Sequence, residues 1–130
     1  MNCKECDKEL LRKGLTYCSV TCQQLFERKT LVQEWLSGVN NGMRGKTSTA
    51  AWIKWHLINE RGEKCERCGW NIRNVHTGNI PIELEHIDGD FTNNDIKNLE
   101  LLCPNCHSLT KTYKGANKKG RPRSKYYRGT

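Results

Sequence analysis

All eight cysteines of this 130-residue chain fall into two sets whose spacing suits metal chemistry, Cys3-x2-Cys6-x11-Cys18-x3-Cys22 and Cys65-x2-Cys68-x34-Cys103-x2-Cys106. Four thiolates complete a tetrahedral zinc shell, and a two-residue spacer lets both sulfurs of a tight turn reach one ion. The two sets therefore predict two structural Zn²⁺ ions. Disulfides are the alternative use of paired cysteines, and a reducing compartment disfavours them. One shared iron–sulfur cluster is disfavoured because the sets lie far apart along the chain. A second kind of site begins at Glu85 and His86. On a strand, neighbouring side chains point to opposite faces, so one of the pair can hold a metal while the other addresses a substrate. A hard cation such as Mg²⁺ takes carboxylate oxygen and water, and an imidazole ligand broadens the choice to Mn²⁺ or Ni²⁺. Taken alone, the same pair is equally compatible with an exposed strand. His107 directly follows Cys106, and one ion normally takes one residue from such a neighbouring pair, which leaves the histidine for another task.

The elements that must position these groups can be read in outline. "SVTCQQLFERKTLVQEWLSG" predicts a helix after the first cysteine set, with Leu25, Phe26, Val32 and Leu36 as its apolar stripe and Gly38 as its stop. Residues 39–49, "VNNGMRGKTST", read as a linker. Thr47, Ser48 or Thr49 is placed to cap the next helix, "AAWIKWHLINERG", which ends at Gly62. Trp52, Trp55 and Leu57 are expected to pack rather than to stack on bases. His56 and His76 lack ligand-spaced partners and are read as structural or exposed. "IPIELEHI", residues 80–87, alternates as a strand does. "DGDFTNND" is a loop, "IKNLELL" suits a second strand or an irregular return, and "HSLTKTYKG" is compatible with a short helix. The order is strand, loop, strand, helix, with a zinc set tying both ends together.

The segment "LEHIDGDFTNNDIKNLELLCPNCHS" closely resembles the HNH endonuclease signature: an acidic residue and histidine, a Gly/Asn loop, an Asn-Leu step, then Cys-x-x-Cys-His. "CERCGWN" upstream resembles the partner knuckle of zinc-containing members. The resemblance covers roughly residues 50–115. It implies an α+β fold, a small zinc-stabilised ββα-metal nuclease domain of treble-clef type, preceded here by an N-terminal zinc finger and helix. It also implies that His86 is the general base and that Glu85 and His107 hold a catalytic divalent ion, Glu85 standing where many members have aspartate. On the first turn of a helix, Cys106 and His107 differ in direction by about 100°. His107 can therefore face that ion while Cys106 faces the zinc. Asn98 matches the middle asparagine, expected to hold the loop and orient His86, with Asn94 competing for part of that role. The implied domains are a finger and helix over 1–38, the linker 39–49, a nuclease domain over 50–114 and a basic tail over 115–130. The implied activity is metal-dependent hydrolysis of DNA phosphodiester bonds. A monomer would suffice to nick duplex DNA, and stand-alone phage proteins of homing type resemble the whole chain more loosely.

Composition sets the frame. Lys and Arg number 22 against 14 Asp and Glu. Residues 1–110 are balanced at 14 of each sign, so the whole excess of +8 lies in "KTYKGANKKGRPRSKYYRGT". Such a tail points to a polyanion. Lys118, Lys119, Arg121, Arg123 and Lys125 are the candidate DNA contacts. Around Pro122 they resemble the Gly-Arg-Pro core of segments that lie in the minor groove, while a plain phosphate-binding tail or a solubilising end explains the same charge. Apolar residues make up only 35% of the chain and mean hydropathy is −0.81, so the core is thin, and such chains commonly need metals or disulfides to stay folded. No run is long and apolar enough for a membrane span, and "MNCKECDKEL" lacks a secretory core, which predicts a cytoplasmic protein. A non-catalytic zinc-finger protein that binds DNA is the competing function, and the presence of Glu85, His86, Asn98 and His107 together speaks against it.

Overall fold

The computed structural model describes residues 1–110, and the five candidate contacts of the basic tail lie outside them. The chain divides into two compact units, Met1–Leu57 and Ile58–Thr130, each taken here by itself.

The first unit opens with a knuckle. Asp7 N–H donates to the Cys3 carbonyl and Cys3 N–H to the Lys8 carbonyl, at 2.9 and 2.7 Å, turning the chain so that Cys3 and Cys6 lie together. Helix α1, Val20–Leu36, starts where the Ser19 hydroxyl accepts from Cys22 N–H, an N-cap that seats Cys22 in the first turn. It ends where Gly38 takes a φ of +86°, a left-handed position that carries little penalty for glycine. Val32 and Trp35 are the residues that α1 buries, whereas Leu36, expected on the apolar stripe, is exposed. Val32 and Trp35, three residues apart, share the inward face, and Leu36, the last residue of α1, lies outside it. Trp35 packs edge-on against Trp52, and its ring centroid also lies 6.0 Å from that of His56. Arg28 stacks over Trp55. The tryptophans thus pack, as expected.

Residues 39–49, read as a linker, contain a short antiparallel ladder of β1, Met43–Arg44, and β2, Ser48–Thr49. Gly45, at a φ of +65°, lets the chain reverse there. The residues read as candidate caps, Thr47, Ser48 and Thr49, fall in this ladder and its turn. Ser48 and Thr49 belong to β2, and buried Ala50 directly precedes helix α2, Ala51–Arg61.

The second unit is built on an antiparallel pair, β3, Glu83–His86, and β4, Leu99–Leu102. The expected strand over 80–87 is thus shorter at its start, where Pro81 has no N–H to offer a ladder. The return "IKN" forms one 3-10 turn, Ile96–Asn98, capped by Asp95, before β4 begins. Helix α3, Pro104–Ser108, follows β4, with Cys103 as N-cap. Ile82, Leu99, Leu101, Leu102, Cys65 and Cys103 are buried and form the core. The knuckle Cys65–Cys68 is tied to β4, because Glu66 N–H donates to the Leu101 carbonyl and the Glu66 carboxylate accepts from Leu101 N–H. Arg61 donates to the Leu99 and Ile96 carbonyls, joining the end of α2 to the same strand. The whole is a small α+β fold. Among the described residues no helix is long and apolar enough to cross a membrane.

Candidate active site and metal centres

Both cysteine sets close in space. Within each, the sulfurs all lie within 4.8 Å of one another. Cys6–Cys18, Cys18–Cys22 and Cys68–Cys103 are separated by 3.6, 3.5 and 3.7 Å. Tetrahedral zinc with bonds of about 2.3 Å needs sulfurs roughly 3.8 Å apart, whereas a disulfide needs about 2.05 Å. The spacing fits zinc, and every cysteine is free. Crowding divides the thiols. The backbone N–H of Cys6, with that of Cys18 assisting, holds Cys3 down to about 6, while hydrogen bonding with Cys18 pushes Cys22 up to about 12. In the second set burial pushes Cys65 up, but the backbone N–H groups of Cys103, Cys68 and Arg67 outweigh it and leave the thiol at about 6. Hydrogen bonding with Cys65, with partial desolvation, pushes half-buried Cys106 up to about 12. Four sulfurs this close cannot all carry charge together unless a cation shares the site.

The register of the β3–β4 pair sorts the remaining groups onto two faces. Glu83 stands opposite Leu102, Leu84 opposite Leu101, Glu85 opposite Glu100 and His86 opposite Leu99. Glu83, Glu85 and Glu100 therefore share one face, and His86 lies on the other. Helix α3 carries His107 to the glutamate face, where its Nδ1 is 2.6 Å from Glu85 Oε2 and its Nε2 is 3.7 Å from Glu83 Oε2. The Glu85 side chain is only 7% exposed, so its charge needs a close partner, and His107 is one. The pair also fits a divalent ion, because two neighbouring ligands about 2.1 Å from a metal stand about 3 Å apart. A shift of a few tenths of an ångström would admit the ion. Cys106 and His107 diverge as the helical turn requires, one to the sulfur cluster and the other to the carboxylate.

On the opposite face, His86 Nε2 lies 2.7 Å from Asn94 Oδ1, and Asn94 is buried. Asn98 does the other half of the work first expected of it. Its carbonyl accepts from Ile87 N–H at 2.8 Å, its side-chain oxygen from Asp88 N–H at 3.1 Å, and its Nδ2 donates to Asp88 Oδ1 and the Asn93 carbonyl, both at 2.9 Å. Asp88 in turn accepts from Asn93 and from Asp90 N–H, and with Asn98 these bonds hold its carboxyl below the usual carboxylate range. So Asn98 braces the loop and Asn94 contacts the histidine. The two tasks lie four residues apart on one loop, a division that residue spacing alone left open.

Two further charged residues belong to the site and were not singled out by the sequence. Glu100 faces Glu85 directly across the pair, and Arg67, from the zinc knuckle, forms an ion pair with Glu100. Like charges placed opposite each other repel, and the guanidinium offsets that repulsion. Glu100 and then Cys106 and Glu85 hold the charge on Arg67. The signal available in advance was the arginine inside a Cys-x-x-Cys turn. His56 packs in the first unit and His76 is exposed.

Two comparisons with known proteins give a match. The HNH endonuclease family model matches residues 65–112, from the knuckle through α3. The chain is also 48% identical over 67 residues to the H-N-H endonuclease F-TflIV of Escherichia phage T5, an alignment covering 50% of this chain and 29% of that protein. The chain thus spans less than a third of this relative's length. No solved structure matches. Over residues 65–112, with the knuckle, the antiparallel pair and the histidine-bearing helix in the expected order, this chain is similar to the HNH endonuclease family.

Proposed function

We propose that the protein is a metal-dependent DNA endonuclease whose residues 50–114 form the catalytic domain and whose residues 1–38 form an accessory zinc finger. The observation that carries this reading is the buried Glu85–His107 contact, with His86 next to Glu85 on β3 and hydrogen-bonded to Asn94. Glu85 Oε2 and His107 Nδ1 would hold Mg²⁺, Mn²⁺ or Ni²⁺. When bound, the ion supplies charge stabilisation at the phosphate and at the departing 3′ oxygen. Asn94 Oδ1 can only accept, so it selects the His86 tautomer with its proton on Nε2. Nδ1 then carries the lone pair that takes a proton from the attacking water. The new P–O bond forms in line as the P–O3′ bond breaks, which leaves 5′-phosphate and 3′-hydroxyl ends. One base and one ion serve one strand, so each chain nicks one strand per event.

Supercoiled plasmid tests this. Relaxation to open circles with Mg²⁺ or Mn²⁺, lost in His86→Ala of unchanged zinc content, is the expected result. Retarded migration of uncut plasmid would instead assign the chain to DNA binding without catalysis.

A further inference from the structure

We propose that Arg67 is a further catalytic residue, the cation that contacts the DNA phosphate beside the Glu85–His107 pair; this rests on the nuclease reading above. Arg67 is fixed at its base more firmly than an ordinary surface arginine. Cys65 and Cys68 on either side enter the sulfur cluster, and Glu66 is bonded to β4 through both its main chain and its carboxylate. The side chain then runs along β4 to Glu100, whose register partner is Glu85. Residues directly opposite on an antiparallel pair have Cα atoms about 5 Å apart, so the guanidinium is held at the edge of the metal-binding carboxylate. It is 47% exposed, whereas Glu100 is 16% exposed, so the arginine is the member of the pair that a ligand can reach.

Charge explains why such a cation belongs there. Glu83, Glu85 and Glu100 put three negative charges on the face that a phosphodiester must approach. A divalent ion leaves that face at −1 and still repelling the substrate, whereas adding Arg67 brings it to zero. Nη2 donates to Glu100 Oε1, and a guanidinium has further N–H donors in a planar fork that matches two phosphate oxygens. Glu100 is therefore a positioning residue that stores the arginine in reach of the phosphate.

The test separates this role from that of a structural ion pair. In zinc-loaded full-length protein at saturating DNA and Mn²⁺, Arg67→Ala is expected to lower kcat by about 10²-fold, the loss typical of one charge-stabilising donor. Arg67→Lys should be intermediate, and Glu100→Gln, which loosens the arginine without removing it, should lower kcat by clearly less than Arg67→Ala does, with zinc content and thermal unfolding unchanged in all three. Unchanged kcat in Arg67→Ala, or equal losses of stability and rate in Arg67→Ala and Glu100→Gln, overturns the proposal. A second measurement does not depend on cleavage. In a His86→Ala background with Mg²⁺, Arg67→Ala should lower the log–log salt slope of duplex binding by about 0.9, one phosphate contact. An unchanged slope overturns the contact, whether or not the wild-type protein cuts. If the wild-type protein fails to relax plasmid while the slope still falls, the catalytic role is overturned and a DNA contact at Arg67 remains.

Discussion

At the scale of single residues, two asparagines four positions apart are expected to fail in different ways. Asn94→Ala removes the acceptor at His86 Nε2 and should slow cleavage by about tenfold to a hundredfold, with the zinc retained. Asn94→Asp restores an acceptor but places a carboxylate beside the imidazole, which raises the histidine pKa. A general base works only when deprotonated, so the acid limb of the pH–rate profile should move to higher pH in Asn94→Asp. A profile that does not move would show that Asn94 does not govern the base. Asn98→Ala instead strips three side-chain hydrogen bonds from the loop between β3 and β4, leaving Asp88 N–H and the Asn93 carbonyl without those partners. We expect a stability loss of about 1–3 kcal/mol in denaturant unfolding, the usual cost of stranded polar groups.

At the scale of elements, the second unit is too slight to stand without metal. Its strands β3 and β4 are four residues each and α3 is five, whereas isolated hairpins and helices of such length are marginal in water. Zinc binding at structural sites is worth about 10–16 kcal/mol, as much as or more than the whole stability of an ordinary domain. We therefore expect two zinc ions per chain by metal analysis. Cys68→Ser should leave one and abolish hydrogen-exchange protection in β3 and β4. Cys18→Ser should also leave one, but with protection in that strand pair preserved, because its sulfur belongs to the other cluster. Loss of protection in both variants would show that the two units do not fold independently.

At the scale of the molecule, charge is divided along the chain. Residues 1–110 are neutral by count and residues 115–130 hold six basic groups and no acidic ones. If about half of those six contact phosphate, deleting residues 115–130 should lower the salt slope of DNA binding by about 3, at roughly 0.9 per contact. A larger affinity loss on A·T-rich than on G·C-rich duplex would favour insertion of Arg121 and Arg123 into the minor groove, where a narrow groove concentrates negative potential. An unchanged slope would assign the charge to solubility.

Residue type and spacing by themselves determined the ligand sets, because Cys-x-x-Cys is a local turn that either brings two sulfurs together or does not. They also determined the helix that starts at Ser19 and the order strand, loop, strand, helix, since capping and periodicity are local properties. They did not determine which strand residue faces which. Only the pairing of β3 with β4 set Glu85 against Glu100, brought Arg67 to the same face and gave His86 to Asn94 rather than Asn98. Nor did they show that Leu36 would lie outside the buried face of α1, or that Ser48 and Thr49 would be drawn into a ladder. In each case the outcome depended on which segments packed together, and in the strand pair a shift of one residue in register would have turned every side chain to the other face.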